Sequence, residues 1–460
     1  MSRTTTGDRL LAGAARADIT PEKGIQIAGD IGRRRPVEEI RAPLYAKALV
    51  LQQNGRTACI LSLDVTGVMR KWANQLRRQV AEILDTEPEA IIPHALQSHS
   101  APFVGNHMVA ADCPFLPDEL WWLRGGDDRY IEPFFSGVMD AVRRAKDALQ
   151  PATMSAVRGM DGRVAFNRRF VMRDGTVKTH PKRCDSNILH CEGPADPEVG
   201  VALLEDRSGR PLAALLHHTC HPVHGFPHRW ISPDWPGAWS DGVQGLLGEG
   251  CVPLVLNGAC GNVHHVNHLD PSQEDTIEAM GCKLTETTER ILPGLEPIEV
   301  KPLRWISRIV QIPLRKLPPR EVKAAQRLIE ENPEPIWQNE EKTNVEWDWV
   351  YAVAALDLAR QQEKQPWYDY EIQVLRIGDL AVIGWPGEPF VEAQLAIKKG
   401  SPAAYTFVAH FCNDSAGYQP TCEAFERGGY ETRTANWSKL APEALEVVQD
   451  TTVEMLRELY

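Results

Sequence analysis

Short apolar runs recur along the chain, and several end in loops rich in histidine, asparagine and glycine. Residues 211–216 lead into His217-His218-Thr219-Cys220-His221-Pro222-Val223-His224, and residues 252–256 lead into Asn257-Gly258-Ala259-Cys260-Gly261-Asn262. A third run, residues 90–96, ends at Gln97-Ser98-His99. Apolar runs of this length predict buried strands. Polar loops that come after several strands of one sheet are a common place for an active site.

Stretches with helical periodicity alternate with these strands, so the sequence predicts an α/β fold. Asn54-Gly55 separates two apolar runs and predicts a hairpin, and several such hairpins indicate a mixed β-sheet flanked by helices. The charged, tryptophan-containing segment 320–362 predicts a helical insertion. We expect one domain over residues 1–460, with a possible sub-boundary near residue 300. Helices are predicted over residues 71–84, 130–149, 238–247 and 273–291.

The charge balance and the cysteine pattern limit the class of protein. Lys and Arg number 50 against 62 Asp and Glu, a net charge of -12, which argues against a nucleic-acid partner. The N-terminal residues lack the apolar core of a signal peptide, and no apolar stretch reaches the ~18 residues of a membrane span. The ten cysteines contain no CxxC pair. We therefore expect a cytoplasmic protein with reduced thiols and a small-molecule substrate, and the sequence leaves the oligomeric state undefined.

Histidine is concentrated in the loops at the ends of the predicted strands. Five of the 14 histidines lie between residues 217 and 228, and His264, His265 and His268 come later in the chain. Several neutral imidazoles near one point, together with a carboxylate, suit zinc. The alternative is that these histidines only hydrogen-bond to backbone or water.

The order of short motifs along the chain resembles the catalytic domain of the neutral/alkaline non-lysosomal ceramidase family. Each motif is short, and together they cover nearly the whole chain. The resemblance implies a ceramidase-like α/β catalytic domain that binds zinc. The motifs are Ala14–Pro21 (Ala-Ala-Arg-Ala-Asp-Ile-Thr-Pro), Ser98-His99-Ser100-Ala101-Pro102, Phe166-Asn167-Arg168-Arg169, His221-Pro222, Asn257-Gly258-Ala259-Cys260-Gly261-Asn262, Pro386-Gly387-Glu388 and the residues 417–431.

In that family two histidines, a glutamate and a tyrosine hold the zinc ion. The resemblance implies His221, Glu388 and Tyr418 as three of these ligands. The position of the remaining histidine is Gln97, and a carboxamide oxygen is a poorer zinc ligand than imidazole. Three interpretations stay open: Gln97 is a weak ligand or holds water, another histidine replaces it, or the zinc site is altered or lost. The histidines considered as replacements are His94, His224 and His264.

A second departure from the family lies at His264, which stands where the family has a serine. Because one change removes a histidine and the other adds one, His264 is an attractive relocated ligand. The resemblance also places His99, Arg168 and Tyr430 in the site. We expect His99 to act in acid–base or oxyanion chemistry, Arg168 to anchor the substrate or oxyanion, and Tyr430 to donate to the oxyanion. Asp234 is a candidate for orienting a histidine, and Cys260 an alternative nucleophile.

The predicted function is zinc-dependent hydrolysis of an amide or ester bond in a small, polar, cytoplasmic substrate. Two alternatives remain. A carbohydrate-active hydrolase or lyase would use carboxylates such as Asp64, Asp234 or Glu388, with the aromatic segments 121–130 and 230–239 stacking on a sugar. A ligand-binding relative without catalysis would keep the cavity and lack the zinc.

Overall fold

The computed structural model describes residues 9–299 and 301–460. None of the described helices is long and apolar enough to cross a membrane. The helices are α1 (Arg70–Leu84), α2 (Ile131–Asp147), α3 (Asp234–Leu247), α4 (Ile277–Ile291), α5 (Pro319–Glu331), α6 (Trp347–Lys364), α7 (Val391–Gly400), α8 (Cys422–Arg427) and α9 (Ala444–Leu459). The strands are β1 (Leu11–Asp18), β2 (Glu39–Ile40), β3 (Tyr45–Gln53), β4 (Arg56–Leu63), β5 (Gly67–Val68), β6 (Ile91–Ala95), β7 (Phe103–Val104), β8 (Gln150–Met160), β9 (Phe166–Asn167), β10 (Arg169–Met172), β11 (Val177–Thr179), β12 (Ile188–Cys191), β13 (Glu198–Asp206), β14 (Pro211–His218), β15 (Trp230–Ile231), β16 (Val252–Asn257), β17 (Val263–His264), β18 (Glu296–Pro297), β19 (Arg304–Pro313), β20 (Trp367–Ile377), β21 (Leu380–Gly384), β22 (Glu388–Pro389), β23 (Tyr405–Ala409) and β24 (Tyr418–Gln419).

The largest sheet has the strand order β16-β14-β13-β8-β1-β3-β4-β6, and β18 pairs with β8 at its side. The pairs β14–β16 and β4–β6 are parallel, whereas β1–β3, β3–β4 and β13–β14 are antiparallel. The predicted mixed sheet is therefore confirmed. Asn54 and Gly55 both have positive φ angles and form the predicted hairpin turn between β3 and β4.

This sheet folds back on itself. Its end strand β16 lies near β3 and β4, and the hydroxyl of Ser62 on β4 donates to the carbonyl of Val255 on β16 at 2.8 Å. Helix α2 packs on β1 and β3, while α3 and α4 pack together and against β16, β8 and β13. The helices therefore flank the sheet, as the sequence predicted.

A smaller sheet, with the order β19-β20-β21-β23, is built from residues after 303. Helix α9 packs against β19, β20 and α7. Leu375 and Val382 of this sheet belong to the same buried apolar cluster as Ala202 and Leu215 of the larger sheet. The apolar core thus continues across residue 300. The single domain and the sub-boundary near residue 300 stay predictions.

The predicted helix boundaries need three corrections. Helix α3 begins at Asp234 rather than at residue 238, because Pro236 lies in the first turn, where proline costs no hydrogen bond. Helix α4 begins at Ile277 rather than at residue 273, since the Thr276 side chain caps it by accepting from the N–H of Ala279. The insertion predicted over residues 320–362 is two helices, α5 and α6, separated by residues 332–346.

Asp357 of α6 connects the insertion to the rest of the chain through hydrogen bonds. We expect Asp357→Ala to lower the free energy of unfolding by about 2 kcal/mol. The carboxylate is fully buried and accepts from the N–H of Ala110 at 2.9 Å and from the Asn436 side chain at 3.1 Å. Both donors would lose a buried partner. Urea denaturation checks this. Asp112→Ala is the control, because exposed Asp112 shares the partner Arg360, and its unfolding midpoint should not change. Equal effects of the two variants would contradict the prediction.

Candidate active site

The polar loops at the strand ends meet in one place. Gln97 comes just after β6, His221 just after β14 and His264 a short loop after β16, while Glu388 and Tyr418 come after β21 and β23. These side chains line a cavity of about 640 Å³ and an adjoining recess of about 50 Å³. Most of the residues predicted for the site line one or both. His99, Arg168, His221, His264, Tyr418 and Tyr430 line the main cavity, and Gln97, His99, Glu388, Tyr418 and Tyr430 line the recess.

The centre of the site is a buried pair formed by His221 and Glu388. The Nδ1–H of His221 donates to the carbonyl of Cys260 at 3.0 Å, so Nε2 carries the lone pair. This Nε2 lies 3.4 Å from Oε2 of Glu388, and neither atom has a hydrogen-bond partner among the described residues. Two buried acceptor atoms that face each other without a proton donor are well suited to hold a metal ion. The residues present therefore fit zinc at this point.

Backbone pairing fixes Glu388 beside Tyr418. The two residues are register partners in the short parallel pair β22–β24, and the Tyr418 side chain acts to lower the pKa of Glu388. Gly387, which precedes Glu388, has φ of 79°, and a Cβ at that position would lie 2.5 Å from the Gly417 carbonyl oxygen. The Pro-Gly-Glu motif thus needs glycine for this close approach of two chains.

Burial dominates the electrostatics of this group of residues. It raises the pKa of Glu388 to about 7, although Arg168, Gln97 and Tyr418 act in the opposite direction. Burial, together with the smaller effect of the Arg168 charge, lowers the pKa of His221 well below its usual value. The histidine is therefore neutral at pH 7, the form in which imidazole binds metals.

Arg168 lies beside Tyr418 and is held in place by hydrogen bonds to two other residues. Its Nε donates to Glu431 at 2.8 Å, its Nη2 donates to the carbonyl of Gly261 at 2.7 Å, and the guanidinium lies 5.4 Å from the Tyr418 ring centroid. Burial opposes the charged form, but Tyr418 and Glu431 outweigh it and raise the pKa of Arg168. Arg168 is therefore positively charged at neutral pH, and its guanidinium lies next to Tyr418.

His99 and Tyr430 stand on the sides of the cavity. The Nδ1–H of His99 donates to the carbonyl of Gly29 at 2.8 Å, which leaves Nε2 free, and the ring centroid lies 5.3 Å from that of His221. Burial lowers the pKa of His99 to about 3. The ring of Tyr430 packs edge-on against Tyr418, and Trp347 of α6 packs on its other side. The helical insertion therefore contributes to the cavity through Trp347.

Two solved structures match nearly the whole chain. Neutral ceramidase from Pseudomonas aeruginosa matches with a TM-score of 0.73 and 19% sequence identity, over 98% of this chain and 74% of that one. A ceramidase complexed with C2 matches with a TM-score of 0.72 and 17% identity, over 98% of this chain and 75% of that one. The chain has the ceramidase fold. This confirms, for the fold, the resemblance inferred from the motifs, although no family model and no curated protein matches the sequence.

On this ceramidase fold, Gln97 occupies the position that differs from the family pattern. It has a φ of 69°, is buried, and its Oε1 accepts a hydrogen bond from the thiol of Cys260 at 3.6 Å. Its side chain also acts to lower the pKa of Glu388. Gln97 therefore lies close enough to influence the carboxyl group of Glu388, and its role as a ligand stays a prediction.

The alternative ligands to Gln97 have other partners. Both ring nitrogens of His94 face the backbone, Nδ1 at the carbonyl of His410 (2.5 Å) and Nε2 at the N–H of Asn257 (2.9 Å). His264 accepts from the N–H of Val266 through Nδ1 at 3.1 Å. Neutral His264 then carries its proton on Nε2, so this arrangement does not favour it as a relocated ligand.

A group of residues that the sequence did not bring together lies in the wall of the same cavity. The ligand atoms of His224, His265 and Asp275 lie within 4.8 Å of one another. Nδ1 of His224 is 2.7 Å from Oδ1 of buried Asp234, the acceptor proposed from the sequence to orient a histidine. The histidines were visible as candidates, whereas Asp275 lies in a polar loop without any distinguishing pattern.

Two other candidates from the sequence, Cys260 and Asp64, line neither the main cavity nor the recess. Burial raises the pKa of the Cys260 thiol far above its usual value, so Cys260 is a poor nucleophile. Asp64 is fully buried beside Lys47, with 3.7 Å between Oδ1 and Nζ. The aromatic segments predicted to stack on a sugar do not line the main cavity, whose aromatic side chains, besides its histidines, are Phe226, Trp347, Tyr418 and Tyr430 among the described residues. The site geometry therefore gives the carbohydrate alternative no support.

Proposed function

We propose that the protein is a metal-dependent hydrolase that cleaves an amide or ester bond in a small, polar substrate. The observation that carries this proposal is the buried, unpartnered pair of His221 Nε2 and Glu388 Oε2 beside Tyr418. The two solved structures described above, which share the fold, are of ceramidases, and these by their name hydrolyse an amide bond. His221, Glu388 and Tyr418 would hold the metal, with zinc the expected ion.

A bound zinc ion would supply Lewis-acid activation of water and of the scissile carbonyl. His99 lines the cavity and its Nδ1–H donates to the carbonyl of Gly29, so we assign proton transfer to its other nitrogen, Nε2. Tyr430 lines both the cavity and the recess, which supports assigning its hydroxyl to donate to the negative charge that develops on the carbonyl oxygen. Arg168 lines the cavity with its guanidinium 5.4 Å from the Tyr418 ring centroid, and we assign it to anchoring the substrate or the oxyanion.

The lining of the main cavity combines polar and apolar groups. Six histidines, Asp30, Asp275 and Arg168 face it, together with apolar side chains that include Ile31, Phe226 and Trp347. The charged and imidazole groups can hydrogen-bond a polar amine or alcohol, and the apolar side chains can cover an acyl group. This mixed lining supports an amide or ester of a polar amine or alcohol as the substrate.

Metal analysis combined with a substrate panel tests this function. We expect the purified protein to contain at least one equivalent of a divalent metal and to hydrolyse short-chain N-acyl amides or esters. A chelator should abolish the hydrolysis, and added zinc should restore it. Hydrolysis that the chelator leaves unchanged would overturn the metal-dependent mechanism. Ligand binding without any hydrolysis would support the alternative that the protein binds a ligand and is not an enzyme.

A further inference from the structure

His224, His265 and Asp275 form a second set of metal-ligand side chains, distinct from the His221–Glu388 pair. All three line the main cavity, and His224 and Asp275 also line a neighbouring cavity of about 410 Å³. The three residues therefore stand in the wall between two cavities. Neither Glu388 nor Gln97 lines this wall.

The donor atoms of this set converge on one carboxylate oxygen. Nδ1 of His265 lies 2.5 Å and Nε2 of His224 lies 3.6 Å from Oδ1 of Asp275. The two imidazole rings are stacked, with 3.6 Å between centroids and 17° between planes. Donors around a tetrahedral zinc ion lie about 3.3 Å apart, given bond lengths of about 2.0–2.1 Å. The observed separations bracket this value, so small side-chain shifts would bring the three atoms to it.

The buried carboxylate of Asp234 orients the ring of His224. Asp234, 1% exposed, lies with its Oδ1 2.7 Å from Nδ1 of His224. Its position is fixed in turn, because the same oxygen accepts from the N–H of Trp235 at 2.7 Å. A carboxylate that accepts from one nitrogen of a histidine directs the lone pair of the other nitrogen outward, which is the usual support of a metal-bound histidine.

The other two side chains are also held in place. Oδ2 of Asp275 accepts from Arg183 at 3.0 Å, which leaves Oδ1 for the two histidines. The Gln273 side chain donates to the carbonyl of His265 at 2.7 Å, and this hydrogen bond holds together the loop that joins His265 to Asp275. Nε2 of His265 is buried and has no hydrogen-bond partner within residues 9–299 and 301–460.

From this geometry we propose that His224, His265 and Asp275 bind a divalent transition-metal ion, with Asp234 positioning His224. Two imidazoles and one carboxylate suit borderline ions such as Zn²⁺, Co²⁺, Fe²⁺ and Mn²⁺ rather than Mg²⁺ or Ca²⁺. Three protein ligands leave coordination positions open toward the cavities. This site does not depend on the proposed hydrolase function. Without an ion, the same groups would form a salt-bridge network around a protonated His224.

Titration of the metal-free protein with Co²⁺ separates these two interpretations. The protein is freed of metal by a chelator, Co²⁺ binding is monitored by its absorption spectrum, and stoichiometry is checked by elemental analysis. We expect two equivalents for the wild type, one for Glu388→Gln, one for His265→Gln, and no tight binding when both substitutions are combined. Asp234→Asn should weaken binding at the second site by about 10–100-fold while leaving the stoichiometry unchanged.

The controls address folding and adventitious binding. Asp275→Asn repeats the test at a side chain that is 20% exposed, in case His265→Gln disturbs the fold, which thermal unfolding would reveal. His228→Gln removes an exposed histidine of the adjoining cavity and should leave both equivalents bound. Retention of the wild-type stoichiometry in His265→Gln and Asp275→Asn would overturn the proposal.

The outcomes for the two sites can be told apart. A single equivalent that persists in Glu388→Gln and disappears in His265→Gln would support this second site and contradict metal binding at the proposed catalytic position. A single equivalent with the reverse pattern would overturn the second site and leave the proposed function standing.

Discussion

Glu431→Gln is expected to lower the free energy of unfolding by about 3–5 kcal/mol, because it leaves buried arginine charge without its partner. The Glu431 side chain is fully buried and accepts from Arg168 at 2.8 Å, from Arg169 at 2.7 Å and from the Thr179 hydroxyl at 2.8 Å. Both arginines are themselves buried. Removing one partner of such a group costs far more than removing one partner of a surface ion pair.

Denaturation in urea measures this loss, and its pH dependence gives a second check. Burial would raise the pKa of Glu431, but Arg168 and Arg169 outweigh it and hold the pKa below the usual value of 4.5. A lowered pKa in the folded state contributes stability that is present above pH ~4.5 and is lost as the pH falls through the folded-state pKa. The difference between wild type and Glu431→Gln should therefore shrink in acid.

The exposed helical pair Arg327–Glu331 offers a matched control. Glu331→Gln makes the same chemical change on the surface and should leave the unfolding midpoint unchanged. A Glu431→Gln variant as stable as Glu331→Gln would mean that the two arginines find water or other partners, and would contradict the prediction.

The mixed sheet and the convergence of strand-end loops could be predicted from the sequence, because both depend on local patterns. Apolar runs such as 252–256 are long enough to indicate buried strands, and Asn54-Gly55 has the turn chemistry of a hairpin. The order of the motifs along the chain also indicated that His221, Glu388 and Tyr418 belong to one site, and these residues lie together in the structure. Predicting these features requires only the few residues within each strand and in the loop at its end.

Features that depend on distant parts of the chain could not be predicted in this way. Arg168 donates to Glu431, which lies 263 residues further on, and no local pattern indicates this pair. Asp275 meets His224 only because the loops after β14 and β17 are folded against each other. Likewise, nothing local shows that the large sheet folds back so that Ser62 meets Val255. No sequence pattern specifies contacts of this kind.

Glu388→Gln is expected to lower kcat/KM for the hydrolysed substrate by about 10³-fold. A glutamine cannot supply the negative charge that a metal ligand provides at this point, and metal activation is worth several kcal/mol of transition-state stabilisation. About 4 kcal/mol corresponds to the stated factor. Steady-state kinetics together with metal analysis of the same preparation measure both consequences. We expect the rate and the metal at this position to be lost together.

The stability of this variant should change in a direction that a simple folding defect would not produce. In the metal-free protein Glu388 is a buried carboxyl group whose Oε2 has no hydrogen-bond partner in the part of the chain that the structure describes, which is an unfavourable arrangement for a charged group. Metal-free Glu388→Gln should therefore be at least as stable as the metal-free wild type while being inactive.

Glu392→Gln is the matched control, because Glu392 on the neighbouring helix α7 accepts from Asn262 and lines neither the cavity nor the recess. Full activity in Glu388→Gln, or an equal loss in Glu392→Gln, would show that the His221–Glu388 pair is not the catalytic centre.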